Sequence, residues 1–155
     1  MTEVSNDVDV VNDLIKVTID SADGYRKAGE QADNHAFQSI FYDRAAERDA
    51  LVKQMQDFVR TRGGDAVDDG SLAASAHRAF LGLRDAIAGN DDDAIVAEVE
   101  RGEDYIKEQF ENACAQSNVS SEARMLVDQC YQSVKAGHDQ MRDLKHGLQG
   151  RSGAL

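Results

Sequence analysis

Residues 34–64, NHAFQSIFYDRAAERDALVKQMQDFVRTRGG, decide the fold. Phe37, Ile40, Phe41, Leu51, Val52, Met55, Phe58 and Val59 recur on one side of a 3.6-residue helix. Asn34 suits the N-cap and Gly63-Gly64 suits the end, so one helix is expected from there to about Arg62. On a helical wheel Arg44 and Arg48 fall near the centre of this apolar face, between Ile40, Leu51 and Met55, and Glu47 falls at its edge. The stretch therefore reads as one wall of a helical bundle whose interior carries charge.

Working outward, a first helix is expected from about Val8 to Ala32, with Val8, Val11, Leu14, Ile15, Thr18, Ala22, Tyr25 and Gly29 as its stripe. Beyond Gly64 comes the polar loop DAVDDG and a shorter helix from about Ser71 to Ala88. Asn90 and the run Asp91-Asp92-Asp93 suit the cap and first turn of a fourth helix, where acid meets the positive end of the dipole. That helix shows Ile95, Val99, Ile106, Phe110 and Ala113. A fifth, from about Ser120 to Leu148, shows Leu126, Val127, Cys130, Val134, Gly137, Met141 and Leu144. Four of the five span roughly 40 Å each at 1.5 Å per residue.

Short loops make the first and second helices one antiparallel hairpin, and the fourth and fifth another. The middle connection, about 28 residues, is long enough to be a crossover. The fold expected is all-α: a ferritin-like four-helix bundle of two antiparallel hairpins, with a short extra helix in the long crossover. A plain up-down-up-down bundle ranks second, because it needs no crossover. Residues 1–150 read as a single domain and 151–155 as a frayed C-terminal tail.

Composition agrees. The 155 residues contain no proline, so nothing interrupts long helices. A net charge of −12 argues against nucleic acid, whose backbone needs clustered Lys and Arg. No apolar run approaches the length of a membrane span, and MTEVSNDVDV has no apolar signal core, so a cytoplasmic protein with no membrane partner is expected. Cys114 and Cys130 are offset by roughly 10 Å along the expected hairpin, too far for a disulfide, and read as reduced core thiols. The acidic run at 91–93 lacks EF-hand spacing, and Gly63-Gly64-Asp65 is no P-loop.

Polar residues inside the stripes are the candidates for function. Glu103 sits near the centre of the fourth helix's stripe, Tyr131 and His138 flank that of the fifth, and Tyr25 lies close to that of the first. With the crossover returning the chain, Arg44, Arg48 and Glu103 fall near one height, and Tyr25 and His138 land within about two turns of them. The expected pairing is Arg44 or Arg48 with Glu103, since buried charges persist when paired. A ferritin-like di-iron site needs a Glu from each of two helices and Glu-x-x-His from the other two. Here the matching spacings read Arg44-x-x-Glu47 and Lys135-x-x-His138, so neither metal nor other cofactor is expected. His77 and Arg84, on one side of the crossover helix, could form an anion patch, although an edge docked on the bundle is favoured.

The segments DSADGYRKAGEQAD, YDRAAERDALV, HRAFLGLRDAI, ERGEDYIKEQF and VKAGHDQMRDL, in this order, resemble a bacterial family of ferritin-like four-helix-bundle proteins of unknown function found in stress-associated gene sets. The resemblance runs from about Val10 to Lys145 and implies a ferritin-like bundle that self-associates as a homodimer or larger oligomer; it supplies no reaction. Where the family reads Glu-Gly-Tyr, this chain has Asp23-Gly24-Tyr25. True ferritins and rubrerythrins are a more distant likeness. The expected function is a non-enzymatic, stress-associated binding or interaction protein with a buried Arg/Glu network in place of the metal. Two alternatives stay open: a di-iron oxidase or iron-handling protein of rubrerythrin or ferritin type, and a binder of a small anionic ligand through the interior arginines.

Overall fold

Capping side chains set the ends of the helices. Asn34 accepts hydrogen bonds from the backbone N–H of Ala36 and Phe37 at 2.8 and 3.3 Å, and so starts the helix expected there. That helix ends at Thr61, and two residues on Gly63 takes a φ of 78°, open to glycine. The Gly63 N–H then returns to Arg60 O, and the Gly64 N–H to Val59 O, both at 3.0 Å. At the next start Asp91 caps, accepting from the Asp93 N–H at 3.0 Å.

The computed structural model describes residues 3–68 and 91–153, which form α1 (Glu3–Gln31), α2 (His35–Thr61), α3 (Asp92–Cys114) and α4 (Ser121–Gly153). No strand occurs among the described residues, and the molecule is an all-α four-helix bundle. The helix expected over Ser71–Ala88, with its His77 and Arg84, lies outside the described residues. α1 begins five residues before Val8, at Glu3, and its buried Asp7 is tied to the far hairpin through Ser120.

Hydrogen bonds at the two ends fix the direction of each helix. The Asp92 carboxylate accepts from the N–H of Asp33 and of Asn34 at 2.9 and 2.8 Å, so α3 starts at the end where α2 starts. At the opposite end Asp7 holds Ser120, and Asn12 meets Asp65 O and the Val67 N–H. The helices therefore run up, down, down, up. The α1–α2 and α3–α4 hairpins pack along their lengths, α1 lies against α3, α2 touches α4 sparsely, and α2 and α3 oppose each other across the diagonal.

The core is split by height. One apolar cluster holds Val11, Leu14, Ile15, Leu51, Met55, Ile106, Phe110, Val127 and Val134 among others. The second, towards the α1–α2 turn, holds Tyr25, Phe37, Phe41, Ile95, Val99 and Met141. Between them Thr18, Ser21, Arg48 and Glu103 are all buried at 0% exposure, a polar layer sandwiched in apolar packing. Cys114 and Cys130 are free thiols, and burial pushes Cys130 up to about 12, so it stays a thiol.

Candidate functional site

The polar layer is built around one guanidinium. Arg48 reaches from α2 across the diagonal and donates to both oxygens of Glu103 on α3, Nη1 to Oε1 at 2.9 Å and Nη2 to Oε2 at 2.7 Å. Such a planar fork matched to a carboxylate is the strong form of ion pair. A third bond runs from Nη1 to Ser21 Oγ on α1 at 2.9 Å. Above it lies Tyr25, whose ring centroid is 5.5 Å from Arg48 Cζ, within reach of a cation–π contact. Burial, the largest single influence, would lower the pKa of Arg48, but the Glu103 charge and hydrogen bond, with smaller contributions from Tyr25 and Glu47, together outweigh it and hold the group above its ordinary value. The Tyr25 phenol is pushed well above its ordinary value by burial first and the Glu103 charge second, so it stays neutral. Two buried polar atoms in this layer, Arg48 Nε and Tyr25 Oη, have no hydrogen-bond partner among the described residues.

α4 closes the layer with a hole rather than a side chain. A Cβ placed on Gly137 would stand 2.5 Å from Arg48 Nη2 and 3.2 Å from Glu103 Oε2. The missing side chain is what lets the ion pair fill the bundle's centre. Around this level Arg44 and Glu47 make a second, partly exposed unit. Arg44 donates to Gln140 Oε1 at 2.9 Å and to both Glu47 oxygens at 2.8 and 2.7 Å, while the Ser133 hydroxyl bonds Glu47. It joins α2 to α4 where these helices otherwise barely meet.

Of the residues singled out in the sequence, Tyr25, Arg48 and Glu103 meet in the buried layer, and Arg44 with Glu47 stands beside it. Tyr131 lies elsewhere: its hydroxyl donates to Glu111 at 2.9 Å, towards the α3–α4 turn. His138 faces the α3–α4 groove, with Nε2 at 2.6 Å from Asp104 Oδ1. His77 and Arg84 fall outside the described residues. Ser21 is not marked in the sequence, and Gly137 reads there only as part of an apolar stripe, because small residues read as packing. Ser21 is nonetheless four residues before Tyr25 on the same face of α1, the one signal that could have found it.

The di-iron centre that a ferritin-like resemblance brings with it does not fit these residues. Both oxygens of Glu103 are turned to Arg48, and the cation stands where a metal would need a ligand. Nor does the layer offer a free cationic group among the described residues, since Arg44 and Arg48 each hold a carboxylate.

The sequence profile of a family described as a domain of unknown function, DUF2383, matches residues 6–116. The match takes in most of α1 and the whole of α2 and α3, and so includes Ser21, Tyr25, Arg48 and Glu103. No curated protein matches the chain.

Proposed function

We propose that this chain, which belongs to the DUF2383 family of unknown function, is a non-enzymatic ferritin-like bundle protein whose interior ion pair replaces a di-iron site. The observation that carries this reading is the two-pronged grip of Arg48 on Glu103 in a layer sealed above and below by apolar side chains. The up-down-down-up course of the helices supports the ferritin-like assignment, because that course needs a long crossover. The resemblance of the five sequence segments supports a stress-associated role and self-association as a homodimer or larger oligomer. An excess of 29 acidic over 17 basic side chains supports a protein that avoids nucleic acid and anionic membranes. No described helix is long and apolar enough to cross a membrane.

The test is anaerobic loading with Fe(II) followed by exposure to oxygen. No oxo-bridged diferric absorption and no rapid oxygen-dependent turnover of iron are expected. Two irons per chain with that absorption, lost when Glu103 is changed, would overturn the reading. Light scattering on the eluted protein checks self-association, with a mass above one chain expected.

A further inference from the structure

One residue outward from the buried layer on both α3 and α4 lies a different constellation. Glu100 and Asp104 are four residues apart on α3 and so share a face. His138 meets them from α4. One ligand-type atom from each of the three lies within 4.8 Å of the other two. We propose that Glu100, Asp104 and His138 form a site for one divalent transition cation of the zinc or manganese kind, in the groove between α3 and α4.

Two observations carry it. The first is the donor set: two carboxylate oxygens and one imidazole nitrogen suit Zn²⁺, Mn²⁺ or Fe²⁺, and three protein ligands leave room for water. Ligand atoms around a tetrahedral zinc stand about 3.3 Å apart, so the more distant pairs must close by up to about 1.5 Å and the His138 Nε2–Asp104 Oδ1 pair, at 2.6 Å, must open by about 0.7 Å, both within the reach of side-chain rotation. The second is independent of the cluster itself. The far nitrogen of His138, Nδ1, faces another carboxylate, Asp139 Oδ1, at 3.3 Å. A ligating histidine is oriented in this way, by an acceptor behind the ring that fixes which nitrogen points at the metal. The His138 side chain is 13% exposed and that of Asp104 57%, so the imidazole is sheltered while the site stays open to solvent on one side.

The cations now present are Lys145, at 3.4 Å from Glu100 Oε2, and Arg142, at 3.5 Å from Asp139 Oδ1. A divalent ion would displace the Lys145 ammonium and leave Arg142 on Asp139. None of the interior residues is a ligand: Glu103 and Gly137 are the chain neighbours of Asp104 and His138, turned inward.

Calorimetric titration of the chelator-stripped full chain with Zn²⁺ tests the proposal, with Co²⁺ as a spectroscopic probe. Saturable binding of one equivalent is expected, with Co²⁺ giving ligand-field absorption and Zn²⁺ raising the melting temperature. Asp104→Asn changes a half-exposed side chain to one of the same shape and should weaken binding on the order of tenfold or more. His138→Ala should abolish the Co²⁺ absorption. Absence of saturable binding, or binding undiminished in both variants, would overturn the proposal. Metal that persists in Asp104→Asn but is lost in Glu103→Gln would place the ion in the interior, overturning this proposal and the function proposed above together.

Discussion

At the scale of single residues, the bundle is governed by one buried charge and what surrounds it. Glu103→Ala would leave the Arg48 guanidinium buried with Ser21 as its remaining hydrogen-bond partner, and should cost about 3–5 kcal/mol in chemical denaturation. Gly137 offers a sharper comparison. Glycine inside a helix ordinarily weakens it, so Gly→Ala stabilises by about 0.5–1 kcal/mol where space is open. Gly147, also on α4, has open space around its would-be Cβ and should show that gain. Gly137→Ala should show the opposite sign, a loss of about 1–3 kcal/mol from overpacking, because Arg48 Nη2 is held by Glu103 and cannot step aside. Melting both variants beside the parent checks the pair. Arg48 and Glu103 were legible in the sequence because a charge in the middle of an apolar stripe is costly to bury and must find an opposite charge there. Which arginine would take Glu103 was not legible, since Arg44 and Arg48 are one turn apart on the same face. The choice is made by Ser21 and Gly137, residues too small to stand out. Glu100 and Asp104 were lost among 29 acids for the same kind of reason: nothing marks them until α4 brings His138 alongside.

Among the elements, the four long helices were readable from period, caps and the absence of proline. Asn34 and Gly63 work as their chemistry suggests. What the pattern could not convey is how the hairpins are tied together, because each tie joins residues remote in the chain. Asp7 is fully buried, and its carboxylate accepts from the Ser120 N–H at 2.8 Å and the Ser120 hydroxyl at 2.6 Å. Ser120 in turn caps α4 through the Ala123 N–H at 3.1 Å, and Arg62 stands 3.7 Å from Asp7. The start of α1 therefore organises the start of α4, 113 residues on. Asp7→Ala strands the Ser120 donors and should cost about 1–3 kcal/mol. Urea denaturation measures it, and faster hydrogen exchange in the first turn of α4 than in its middle is the local signature expected.

Over the whole molecule, the −12 charge sets the response to pH, and one group contributes with a definite sign. Burial, reinforced by the Asp23 charge and opposed by Lys27, raises Asp20 from 3.8 to about 6. The folded chain thus keeps a proton there that the unfolded chain has lost. The resulting stability is fully present below the unfolded value and disappears as pH rises through the folded one. Asp20→Asn should therefore melt higher than the parent at about pH 7.5, and the gap should close by about pH 4. Thermal melts across that range decide it.

Four polar ties share one property: the buried pair, the Asp7 latch, the Asp92 clamp and the Arg44–Gln140 bond all cross from one hairpin to the other. Within each hairpin, apolar stripes run the length of neighbouring helices, and polar contacts such as Arg48–Ser21 and His138–Asp104 add to them. Greasy surfaces slide past one another with little preference, whereas a fork of two hydrogen bonds has a single seat. The interior charge therefore acts as an index pin, selecting one alignment of the two hairpins, and its cost in desolvation is the cost of having that alignment be unique.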